Sequence, residues 1–186
     1  MTWIQTYSGL RFDLTDPRPD QVCLEDIAHS LAMVYRFGGH CREFYSVAQH
    51  SVHVAEYIGE AAISVDATTA TRNTVMALAL LHDAHEAYIG DVVQPMKLIV
   101  DLRGIDEKIQ AAVHEHFWLV PEPWHLAAIK RADRTALATE VRDLMGPPPE
   151  PWVEMPPPWL MGINTWSWQK AQETFFGLAR SIGLQG

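Results

Sequence analysis

"LLHDAHEAYIGDVVQPMK", residues Leu80–Lys97, sets two imidazoles and three carboxylates into a segment whose upstream flank reads as buried helix. Val75, Met76, Leu78, Leu80 and Leu81 lead into it, and Gly90 supplies a stop, so the pattern predicts a helix from about Asn73 to Ile89. On a helix of 3.6 residues per turn, His82 falls on the side of Val75 and Leu78, with His85 and Glu86 one turn on. Asp83 lies about 100° round and shares an edge with Glu86. His82, Asp83 and Glu86 can therefore border one cavity. An imidazole and a carboxylate facing inward suit a divalent cation, since neither zinc nor its neighbours needs thiolate ligands. Alone, the pair reads more readily as a hydrogen-bonded core histidine with a local partner.

Two further segments change that balance. Asp133 stands seven residues after Leu126, four after Ile129 and four before Leu137, so it belongs to an apolar stripe. A carboxylate there must be protonated, paired with a base such as Arg36, Lys130 or Arg134, or bound to a cation. His50 sits three after Val47 and four before Val54, in the first turn of a helix that Ser46 caps, with Gln49 placed to complete a capping box. Its neighbour His53 competes for the same role. A histidine, a His-Asp pair and an aspartate from three separate helices make a purely structural explanation of each far less economical.

The rest of the chain reads as mostly helical. Trp3–Asp13 alternates around Ser8-Gly9 as a short hairpin within residues 1–20. Leu24, Ile27, Leu31 and Val34 recur at helical spacing until Gly38-Gly39, placing Arg36 at a helix exit. Ile105, Ile109, Val113 and Phe117 mark another helix, and Pro121 and Pro123 introduce one carrying Leu126, Ile129, Leu137, Val141 and Leu144. Trp168, Ala171, Phe175, Ala179 and Ile182 mark the last. Residues 146–166 are rich in proline and tryptophan, which excludes helix or central strand and predicts an extended segment with Trp152 and Trp159 packed down. The expectation is an all-α bundle of about six helices with an N-terminal hairpin, as one domain spanning 1–186.

Composition bounds the function. At 48% hydrophobic and 20% charged the chain is ordinary for a soluble protein, and no apolar run reaches the roughly 20 residues of a membrane helix. A net charge of −9 with 14 scattered basic residues argues against a polymeric nucleic-acid partner, though not against a small phosphorylated ligand. Cys23 and Cys41 form no Cys-x-x-Cys motif, and the N-terminus shows no secretory leader; a reducing, cytoplasmic setting is expected.

The order His50, His82-Asp83, Asp133 resembles the H…HD…D signature of the HD-domain phosphohydrolases, an all-helical metal-dependent superfamily. "HDAHEAYIGDVVQPMK" (82–97) and "RFGGHCREFYSVAQHSVHVA" (36–55) resemble the matching stretches of bacterial 5′-deoxynucleotidases and related phage-type enzymes. The resemblance implies one divalent metal (Mn, Co, Zn or Ni, with Mg also admissible) held by His50, His82, Asp83 and Asp133. It further implies Glu86 as the group handling a proton, Asp91 as a second carboxylate near the sugar, and Arg36 as the phosphate grip. Apart from the resemblance, Lys97 and Arg42 are candidate auxiliary cations. Where those deoxynucleotidases place Trp against the ribose 2′ position, this chain has Phe37, which leaves deoxyribose selectivity open. The implied activity is release of phosphate from dNMPs. Its alternatives are a dNTP triphosphohydrolase with the same site and a non-catalytic nucleotide-sensing or scaffold module. The expected partner is a small deoxynucleotide, with no membrane, in a homo-oligomer.

Overall fold

The computed structural model describes residues 1–100, 103–150, 152 and 154–185. It is predominantly helical, with a two-stranded antiparallel hairpin at the start. Strand β1 (Trp3–Gln5) pairs with β2 (Arg11–Asp13) in the register Ile4 to Phe12, and the connection turns at Gly9, whose φ of +89° suits glycine. Helices α1 (Leu24–Met33), α2 (Val47–Ser64), α3 (Thr69–Leu80), α6 (Arg103–His116), α7 (Pro123–Leu144) and α8 (Trp168–Ser181) are the six long elements. Two single turns, α4 (Glu86–Ile89) and α5 (Gln94–Lys97), complete the helical set among the described residues.

Helix α2 is the axis of the fold. It packs on α1, α3, α7 and α8, and its first half is buried on nearly every side, from Val47 through Ala55. Gly59 permits the closest approach to α3: a Cβ there would meet the Met76 sulfur at 2.6 Å. Ser46 caps α2 as expected, its hydroxyl accepting from the Gln49 N–H at 3.2 Å. The Gln49 side chain does not fold back to close a capping box. It reaches the segment before α8 instead, donating to Asn164 O and accepting from Trp166 N–H.

Four local expectations are corrected by the structure. Helix α1 ends at Met33, and Arg36–Gly39 is a separate 3-10 turn in which Phe37, Gly38 and Gly39 all have positive φ. The helix predicted from Asn73 begins earlier, at Thr69 behind a Thr68 cap, and stops at Leu80. Its carbonyls are claimed by side chains: the His82 ring takes Ala79 O at 2.7 Å and Gln110 Nε2 takes Leu81 O at 2.8 Å. The backbone tightens to i→i−3 bonds through residues 82–88 before α4 closes at Gly90. On α7, Leu126 faces solvent, and the buried face runs through His125, Ile129, Ala132, Ala136 and Glu140.

The hairpin braces the turn that follows α3. Phe12, fully buried, stacks on Tyr88 of α4 with centroids 3.7 Å apart. Ser8 bonds the Asp26 carboxylate of α1 through its N–H at 2.6 Å and its hydroxyl at 2.8 Å. The proline-rich stretch forms neither helix nor strand among its described residues; Pro151 and Val153 lie outside them. Trp159 packs against the core, while Trp152 remains 39% exposed. No helix among the described residues is long and apolar enough to cross a membrane.

Candidate metal centre

Helix α2, the turn after α3, and α7 converge on one point. His50 is fully buried in the first turn of α2, and its Nε2 lies 3.3 Å from His82 Nε2, 3.2 Å from Asp133 Oδ1 and 3.7 Å from Asp83 Oδ2. His82 Nε2 is 3.2 Å from Asp83 Oδ2 and 4.0 Å from Asp133 Oδ1. His82 and Asp83 therefore reach this point from a turn, not from the continuous helix predicted for them.

The proton positions follow from the other edge of each ring. His50 Nδ1 lies 2.6 Å from Glu140 Oε1 and His82 Nδ1 lies 2.7 Å from Ala79 O. Both partners are acceptors, so each Nδ1 carries a hydrogen, and each ring, when neutral, turns an Nε2 lone pair toward the other. Two lone pairs and two carboxylates facing inward repel one another unless a positive species sits among them. The chain alone attracts protons here: burial opposes a charge on His82, yet Asp83, Asp133 and the Ala79 carbonyl together more than offset it and push the imidazole up to about 9. A cation with bonds of about 2.1 Å holds neighbouring donors roughly 3 to 3.5 Å apart, close to the spacing found. His50, His82 and Asp83 lie close enough together to hold one divalent ion, and Asp133 Oδ1 stands within 4.0 Å of both imidazole nitrogens.

Glu140 escapes a reading of the sequence, because a lone glutamate in a helix is ordinarily solvated. Its signal is its place seven residues after Asp133, on the same face of α7. Fully buried, it accepts from His50 Nδ1, from the Tyr45 hydroxyl at 3.1 Å and from Arg36 Nε at 3.1 Å, and it forms an ion pair with Arg36 Nη2, also 3.1 Å away. Burial alone would raise its carboxyl, but Arg36 and His50 hold it down at about 2. Glu140 thus orients the imidazole and increases its basicity, as a carboxylate behind a metal-bound histidine does. Arg36 is spent partly on this duty; its Nη1 lies 3.7 Å from Asp83 Oδ2. His53 turns away, its Nδ1 3.4 Å from Tyr45 Oη.

Beside the cluster stands Glu86, 3% exposed, with Oε2 buried and bonded to nothing among the described residues. Burial first, then Asp83 and Asp91, push its carboxyl up to about 9. Lys97 Nζ is 3.7 Å from Glu86 Oε1, and Asp91, itself raised by burial, lies within the same field of charges. Phe37 holds a left-handed φ of 57°, sparsely populated by residues with a Cβ, with its ring against the Arg36 guanidinium and 6.3 Å edge-on to Trp152. His85 Nδ1 is 3.2 Å from Gln110 Oε1, and a nitrogen of the same ring lies close to the Asp83 and Glu86 carboxylates.

Comparison with known proteins gives this arrangement a family. The HD-domain family matches residues 37–141, which include all four clustered residues together with Glu86, Asp91 and Glu140. The uncharacterized protein YfdR of Escherichia coli K12 is 37% identical over 145 residues, 77% of this chain and 73% of that one. An uncharacterized protein of Rhodobacter capsulatus is also 37% identical, over 152 residues, 77% of this chain and 74% of its own length. The chain belongs to the HD-domain family, a superfamily of metal-dependent hydrolases.

Proposed function

We propose that this HD-domain protein is a metal-dependent phosphohydrolase of small nucleotides, releasing inorganic phosphate from deoxyribonucleoside 5′-monophosphates in the cytoplasm. The observation that carries the reading is the pairing of a four-donor cluster with a buried carboxyl at Glu86 whose Oε2 bonds to nothing among the described residues, Lys97 reaching only its other oxygen. Structural ion pairs are satisfied on both sides, whereas this group is held ready for a partner that arrives from outside.

His50, His82, Asp83 and Asp133 would hold the cation. Bound there, it supplies Lewis acidity to a phosphoryl oxygen and lowers the pKa of water. Glu86 keeps or takes a proton at Oε2, in a site dry enough for its protonation to respond to each change of charge nearby. Asp91 orients the sugar end. Arg36 offers its remaining guanidinium donors to phosphate while its Nε and Nη2 fix Glu140. Lys97 balances negative charge at Glu86 as substrate enters, and Phe37 forms an apolar wall beside Arg36.

A second reading, release of triphosphate from dNTPs by the same cluster, draws on one feature. Lys130, Arg131 and Arg134 line a cleft of about 690 Å³ on α7, the helix that also carries Asp133, and would suit a longer phosphate tail. A non-catalytic module accounts for the cluster but not for Glu86. The test is a panel of dNMPs and dNTPs with Mn²⁺ or Co²⁺, with and without chelator, resolving Pi from PPPi. Pi from monophosphates supports the first reading, PPPi replaces it with the second, and no metal-dependent product removes both.

A further inference from the structure

We propose that the cleft between α2 and residues 157–163 is a second binding site, taking a small organic cation with an apolar body. The cleft measures about 590 Å³ and opens one to three turns along α2 from His50. That volume lies within the range of small-molecule sites.

Two kinds of group line it. The Tyr57 and Trp159 rings face one another with centroids 5.2 Å apart at 31°, and the His53 ring stands edge-on to Trp159. Glu56 and Glu60, one helical turn apart, add two carboxylates with no basic partner among the described residues. Burial and then the neighbouring Glu60 raise the Glu56 carboxyl, so the pair carries repulsion that a cation would relieve. Aromatic faces attract the same charge through their quadrupole. Phosphate or a carboxylate ligand would meet two like charges. Leu160 and Met161, almost wholly exposed at the rim, offer apolar contact to the rest of such a ligand.

The wall is already built. Arg142 donates to Trp159 O at 2.6 Å and Met161 O at 3.0 Å, Thr139 Oγ1 accepts from Trp159 N–H, and Asp143 accepts from Ile163 N–H. Little ordering remains to be done on binding. The site does not depend on the hydrolytic reading, since a chain that hydrolyses nothing would still bind the cation.

Calorimetric titration of the full chain with benzyltrimethylammonium, its uncharged carbon analogue and inorganic phosphate tests this. The cation is expected to bind at least fivefold more tightly than the neutral analogue, and inorganic phosphate is expected not to compete with it. The Glu56→Gln/Glu60→Gln protein should lose that preference, and Tyr57→Leu should weaken the cation at least threefold. The glutamates are exposed, and a circular dichroism melt verifies that their amides leave the fold intact. Equal binding of cation and neutral analogue, no cation binding, or binding unaltered in the double variant would each overturn the proposal.

Discussion

Glu140 Oε1 lies 2.6 Å from His50 Nδ1, with both side chains fully shut off from solvent. The histidine is therefore not free to choose its tautomer. A neutral amide cannot reproduce this, because Arg36 and His50 both rely on the negative charge. Glu140→Gln should weaken Mn²⁺ binding by about 10- to 100-fold and destabilise the fold by a few kcal/mol, since the buried guanidinium loses its partner. Metal titration on protein shown to be folded checks the first effect, and urea unfolding checks the second. Unaltered Mn²⁺ affinity would mean that Glu140 serves the fold alone.

Glu86→Ala should separate binding from chemistry. The variant is expected to retain Mn²⁺ within about threefold, since Glu86 stands beside the four clustered donors, and to lose about 10²- to 10⁴-fold in turnover. A fully active Glu86→Ala protein would remove the residue from the proton-handling role.

Chelation should lower stability in proportion to metal occupancy. An ion present at 100 times its Kd contributes about 2.7 kcal/mol by mass action if it ignores the unfolded chain. Melting temperature should thus fall on adding chelator and rise with Mn²⁺ concentration. In Asp133→Asn the dependence should flatten, because one of the four converging donors has lost its charge.

How much of this was legible beforehand depended on whether a residue's environment was local. Ser46 and Pro123 announce the starts of α2 and α7, because capping and the proline at N1 act within one turn. His50, His82 and Asp133 could be singled out, since each sits where an apolar residue would complete a stripe, and Asp83 followed from its place beside His82. The break after Leu80 could not be read, because nothing in Leu81–Ala84 disfavours helix. The break is enforced by Gln110, about thirty residues away, and by a histidine ring that replaces a backbone donor. Arg36 was expected to meet phosphate or to pair with Asp133; its bond to Glu140 spans 104 positions and leaves no local trace.

His53 gives a pH prediction whose sign can be worked through. Burial, then the nearby His50, push its imidazole down from 6.5 to about 4. Between those values the unfolded chain binds a proton that the folded chain refuses, so stability is complete above pH 6.5 and falls as pH drops toward 4. Allowing for the partial exposure of the ring, the loss should be about 1 to 2 kcal/mol. Urea unfolding at pH 7.5 and pH 5.0 should show a smaller drop for His53→Phe than for the parent chain. Equal drops would show that His53 is not held neutral.

Because Glu140 closes on partners 90 and 104 positions upstream, the cluster cannot form while the ribosome is still making the middle of the chain. Until α7 emerges, the buried faces of α2 and α3 lack their cover, and His50 has no carboxylate to set its ring. Metal capture therefore belongs to the end of synthesis, and a nascent chain stalled before residue 140 should leave Mn²⁺ in solution.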